Sequence, residues 1–150
     1  MPQKETVQLL NALLEALEDA KLNFAEAASK FESERLGAVL QEYSDDCARA
    51  LNALQKSVQS LGETAVVGAS VGGAVRKGWL KLKTALAADA EAAAVEEAEH
   101  EHARLQAAFD KVLEFEPLQQ VREVVERERQ MVDRGAARLA QVHGGHQHKR

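Results

Sequence analysis

The stretch VGASVGGAVRKGWLKLKTAL, residues 67–86, decides the architecture. On each side of it, apolar residues recur every three or four positions, the spacing of one face of a helix. Before it lie two such segments. One runs from about Glu5 to Ser29 through Leu10, Leu13, Leu17, Ala20, Phe24, Ala27 and on to Phe31. The other runs from about Glu34 to Leu61 through Leu36, Leu40, Tyr43, Cys47, Ala50 and Leu54. After it come a third segment, about Asp89 to Glu114, with Val95, Ala98, His102, Leu105, Phe109 and Val112, and a fourth, Pro117 to about Val142. The fourth places Leu118, Val121, Val125, Glu128, Val132, Gly135 and Leu139 on one face. Within each pair the link is short, around Lys30 to Ser33 and before Pro117, where proline suits a first helical turn. Gly62 is the expected C-terminal cap of the second helix. The connection 62–88 is too long for a turn, so it joins two helical hairpins as a crossover, and the second and third helices then run in the same direction.

Composition agrees with an all-α chain. The 150 residues fit a single domain, and proline occurs only at Pro2 and Pro117. The domain is expected over 3–142, followed by a flexible histidine-containing tail, 143–150, with His143, His146 and His148. Cys47 is the lone cysteine, which excludes an internal disulfide and suits a reducing cytoplasm. Acids interrupt the apolar positions of the N-terminal segment, so no signal peptide is expected. No apolar run approaches the roughly 20 residues of a transmembrane helix.

Charge is uneven along the chain. Residues 88–116 carry nine acids against two bases, whereas 117–150 carry seven bases against four acids. An acidic third helix beside a basic fourth suits pairing inside the bundle. Arginines of the fourth helix alternate with Glu123, Glu126 and Glu128, which argues against nucleic-acid binding. In the crossover, Trp79 shares a face with Val75 and Leu82, while Arg76, Lys77, Lys81 and Lys83 occupy the rest. Such a basic amphipathic segment can grip an acidic partner or an anionic membrane. Packing of Trp79 against the bundle, with the lysines in water, is the preferred reading.

One polar group interrupts each seam at about mid-height. On the third helix, VEEAEHEHARL, residues 95–105, puts Glu99 and His102 at an E-x-x-H spacing. Those two are expected inside, with Glu96, Glu97, His100 and Glu101 outside. Glu128 replaces an apolar residue on the fourth helix, Asp46 adjoins Tyr43, Cys47 and Ala50 on the second, and Lys21 lies between Leu17 and Phe24 on the first. Cys47 reads as a small buried hydrophobe rather than a reactive thiol.

The crossover Ser70-Val-Gly-Gly-Ala-Val-Arg-Lys-Gly-Trp-Leu-Lys-Leu-Lys83 after Leu61-Gly62, with LEDAKLNFAEAA and LNALQKSVQSLG, carries a resemblance. The chain resembles a bacterial ferritin-like family of unknown function over about Leu9 to Leu139. The resemblance implies a ferritin-like four-helix bundle and an association with stress. The wider superfamily implies a di-metal carboxylate centre with E-x-x-H pairs on helices two and four. Here those places read Asp46-Cys-Ala-Arg49 and Glu128-Arg-Gln-Met131, and Lys21 stands near where a glutamate ligand belongs.

Those departures favour a metal-free polar layer of Lys21, Asp46, Glu99, His102 and Glu128. In it, Lys21 and Arg49 supply the charge that metal ions supply elsewhere. On this reading His102→Leu is tolerated and Lys21→Met destabilises. No nucleophile elbow or phosphate loop is present, so a non-enzymatic cytoplasmic protein is expected, acting as a homo-oligomer (a dimer) or on a helical partner. The alternative is an iron or manganese protein for metal storage or oxidation, with Asp46, Glu99, His102 and Glu128 as ligands.

Overall fold

The computed structural model describes residues 2–31, 34–63, 87–115 and 117–148. Four helices form a bundle: α1 (Pro2–Lys30), α2 (Arg35–Ser60), α3 (Ala87–Glu114) and α4 (Gln119–His148). Among the described residues there is no strand. The crossover candidates Arg76, Lys77, Trp79, Lys81 and Lys83 lie outside the described residues.

Each helix is held by the stripe that its apolar spacing predicts. Leu10, Leu13, Leu17, Ala20 and Phe24 of α1 are fully buried, as are Leu40, Tyr43, Cys47, Ala50 and Leu54 of α2. Ala98, Leu105, Phe109 and Val112 of α3 meet Val121, Val125, Val132 and Leu139 of α4 in the same continuous core. Burying a side chain of leucine or phenylalanine size contributes about 1.5–3 kcal/mol, so these stripes dominate the stability. The helix ends also follow local chemistry. Glu5 in the first turn of α1 and Lys30 in its last complement the helix dipole.

Gly62 closes α2 at φ 80°. Its N–H donates to the Gln59 carbonyl at 2.9 Å, and the Glu63 N–H reaches the Val58 carbonyl at 3.3 Å. This paired bonding is the Schellman arrangement, which requires a left-handed residue at that place.

Two ends differ from expectation. Pro117 precedes α4 instead of opening it, because the Leu118 carbonyl takes the capping place and accepts from the Val121 and Arg122 N–H groups, each at 2.9 Å. Leu118, expected in the seam, is therefore 59% exposed. At the other end α4 reaches His148, beyond Val142. Apolar spacing loses its signal where the side chains turn polar, whereas backbone hydrogen bonding does not need it.

Cross-helix contacts fix the directions. The Ser44 hydroxyl donates to the Lys21 carbonyl at 2.8 Å across the first hairpin. In the second hairpin, Arg129 pairs with Asp110, and Arg122 donates to the Leu113 carbonyl at 3.0 Å. Asn23 meets Glu101 while the earlier residues Ala12 and Glu15 line a groove with Arg104 and Leu105, so α1 and α3 are antiparallel. With α1 antiparallel to both α2 and α3, those two run the same way. In the bundle, α1 packs on α2 and α3, and α4 packs on the same two helices from the opposite corner. Helix α2 spans about 39 Å at 1.5 Å per residue. The parallel course of α2 and α3 is the one the sequence predicts, and residues 64–86 between them lie outside the described residues.

Candidate functional site

At mid-height the core changes character. The Tyr43 ring stacks on Phe24 with centroids 4.1 Å apart, and its hydroxyl reaches Nδ1 of His102 at 2.5 Å. The other ring nitrogen of His102, Nε2, lies 3.0 Å from Oδ1 of Asp133. A carboxylate can only accept, so Nε2 carries a proton, and in the neutral ring Nδ1 accepts from the phenol. Gln106 donates to the same Asp133 oxygen at 3.4 Å, and Arg129 lies 3.8 Å from its other oxygen. Arg129 in turn pairs with Asp110. A line of polar contacts thus runs from a fully buried phenol to the rim of the bundle.

Protonation states follow from these surroundings. Burial pushes the Tyr43 phenol well above its ordinary range, reinforced by Cys47, Glu101, Asp133 and Asp46. Cys47 is likewise raised by burial, then by Glu101 and Asp46, so it remains a thiol. His102 is lowered by burial, with Arg129 adding to the effect and the Asp133 carboxylate opposing it. In the neutral imidazole, Nε2–H serves Asp133 and Nδ1 is the acceptor for the Tyr43 hydroxyl.

A second cluster sits between α2 and α4. Asp46 is buried, with one carboxylate oxygen accepting from Arg138 at 2.9 Å and the other paired with Arg49. Arg138 also lies 3.1 Å from Glu42. Gly135 makes this contact possible. A Cβ there would stand 3.0 Å from Oδ2 of Asp46 and 3.1 Å from Cδ2 of Tyr43, so glycine lets α4 come close enough for Arg138, one turn on, to reach across.

The third cluster joins α1 to α3. Glu101, 3% exposed, accepts from the Asn23 amide at 3.2 Å. Beside it a groove of about 240 Å³ is lined by Ala12, Glu15, Ala16, Arg104, Leu105 and the buried Asp19.

The five residues expected in the layer divide. Asp46, His102 and Glu128 face the interior, and His100 is exposed as expected. Glu99 does not: it is exposed, and Glu101 takes the inner place. The buried line of α3 runs Ala94, Ala98, Glu101, Leu105, Phe109, and Glu99 stands about 100° off Ala98. Lys21 pairs with Glu18 on its own helix at 3.1 Å and stays half-exposed. The counter-charge at Asp46 comes instead from Arg138 and Arg49. Glu128 pairs with its neighbour Arg127 at 3.1 Å. Asn23, Asp133 and Arg138 are not singled out by the sequence pattern, and Glu101, expected outside, is buried. Each depends on a partner from another helix, and no spacing within one helix signals that.

A di-metal centre does not fit these residues. Two guanidinium groups occupy Asp46, both nitrogens of His102 are engaged, and Glu99 faces away from the interior. Among the described residues no three His, Cys, Asp or Glu side chains are grouped to hold a metal ion.

Residues 5–115 match the model of a family described as a domain of unknown function, DUF2383. The chain belongs to that family. No curated protein and no solved structure matches it. Asn23, Tyr43, Asp46, Glu101 and His102 lie within the DUF2383 match, whereas Asp133, Arg129 and Arg138 come from α4, beyond it. Among the described residues, no helix is long and apolar enough to cross a membrane.

Proposed function

We propose that this chain is a non-enzymatic helical module of the cytoplasm, built on a ferritin-like plan whose metal centre has been replaced by internal ion pairs and hydrogen bonds, and that it acts by self-association or on a helical partner. The observation that carries this reading is the occupation of Asp46 by Arg138 and Arg49. An arginine cannot be deprotonated in a protein, so a divalent cation would have to displace two fixed positive charges to reach that carboxylate. The buried, raised thiol of Cys47 suits a chain that does not use it for chemistry. A bundle stripped of its centre keeps a rigid helical surface, which is what association requires. The stress association implied by the resemblance belongs to the same proposal.

Untagged protein, loaded with iron or manganese and desalted, tests the first half by elemental analysis. Substoichiometric metal is expected, and near-stoichiometric metal would favour storage or oxidation. Sedimentation across a concentration series tests the second half. A reversible dimer supports self-association, and a monomer throughout removes it and leaves the helical partner.

A further inference from the structure

At the Glu101–His102 turn, polar contacts tie α3 to all three other helices. Glu101 takes the Asn23 amide of α1, His102 Nδ1 takes the Tyr43 hydroxyl of α2, and His102 Nε2 donates to Asp133 of α4. We propose that this turn is an acid-sensitive latch, which holds α3 in the bundle near neutral pH and lets it loosen in mild acid. The latch goes beyond the binding role proposed above and stands whether or not the module has a partner.

The groups around His102 set its behaviour. From α2 it meets the Tyr43 phenol, with Asp46 and Cys47 within the next turn. From α4 it meets the Asp133 carboxylate, with Arg129 behind. From α1 come Asn23, which is uncharged and engages Glu101, and one turn earlier the buried carboxylate of Asp19, which lines the same groove as Glu101. On α3 itself Glu101 is buried beside it, and Glu99 is exposed. Only the neutral ring can accept from Tyr43. A protonated imidazole has two N–H donors and no acceptor, so the phenol hydrogen loses its partner in a core where a lost hydrogen bond is not replaced by water. The bond to Asp133 survives protonation, so the contact to α2 is the one that weakens: the ring then donates to the phenol oxygen, and the buried phenol hydrogen is left without an acceptor.

The direction of the pH effect follows. Burial places the His102 value below the ordinary 6.5, with Arg129 helping and Asp133 opposing. In the window below 6.5 the unfolded chain binds the proton more readily than the native one. The stabilisation is therefore complete above that value and is lost as pH falls through the window, down to the native value.

Native-state hydrogen exchange of the full chain, corrected for the intrinsic rate at about pH 7 and about pH 5.5, reads the latch directly. Amides of α3 around Ala98 to Phe109 are expected to lose protection several-fold in acid while the α1–α2 hairpin keeps its own. Asp133→Asn removes the carboxylate that favours protonation and should move the transition to lower pH. Tyr43→Phe removes the donor that favours the neutral ring and should move it higher. An unchanged acid response in His102→Gln, or equal loss of protection in all four helices, would overturn the latch. Should a variant fail to fold, an NMR titration of His102 in the wild type still decides. A midpoint at or above the ordinary value removes the proposal.

Discussion

His102 holds a buried phenol in place, and this reverses the cost expected of its substitution. Leucine would fit the apolar seam between Ala98 and Leu105, yet it strands the Tyr43 hydroxyl in a core position with no exposure. A buried polar group left unsatisfied costs about 1–3 kcal/mol. His102→Leu is therefore expected to lower the melting temperature, and Tyr43→Phe in the same background should restore part of the loss. Lys21→Met should cost under about 1 kcal/mol, since its ion pair with Glu18 is partly solvated and local. Thermal melts of the two variants check the order, which is the opposite of what seam position alone implies. At Asp46 the two arginines differ in weight. Arg49 is 63% exposed and Arg138 41%, and only Arg138 bridges to another helix. Arg138→Met should cost about 1–3 kcal/mol, because a buried carboxylate loses a charged partner, and Arg49→Met should cost less. Equal losses in urea titrations would show that the interhelical geometry adds nothing.

The helices were legible because their signal is redundant. Ten or more apolar positions in α1 repeat one message, so a single misreading does not move the stripe. Polar facing has no such redundancy. Glu99, Glu101 and His102 crowd one turn, and Asn23 on α1 decides that Glu101 is the inner carboxylate. Likewise Arg138 is one basic residue among several on α4 until Gly135 brings that helix onto α2. Gly135→Ala tests this close approach at the level of the element. Alanine in place of glycine favours helix by about 1 kcal/mol. The new Cβ, however, meets Tyr43, whose ring is stacked on Phe24 and bonded to His102, and overpacking a rigid core costs about 1–3 kcal/mol. The net expectation is a loss of about 1 kcal/mol with a weakened Asp46–Arg138 pair. A variant more stable than the wild type in melting experiments would mean that the Tyr43 ring yields.

At the scale of the whole molecule, one core joins all four helices, and this bears on how the bundle comes apart. Residues from Val7 to Leu139 belong to a single buried cluster, so no helix has a core of its own to fall back on. Near neutral pH the four helices should therefore unfold together. Urea titrations followed by far-ultraviolet circular dichroism and by the near-ultraviolet signal of the packed Tyr43 ring should give one midpoint, with a slope of about 1–3 kcal/mol per molar. Below pH 6.5 the prediction changes, because the latch on α3 weakens while the α1–α2 hairpin keeps the Phe24–Tyr43 stack and the Ser44–Lys21 bond. The two midpoints should then separate, with the helical signal beginning to fall at lower urea than the Tyr43 signal. Asp133→Asn should keep them together further into acid. Two midpoints already apart at neutral pH would mean that the shared apolar core does not couple the hairpins as its continuity requires.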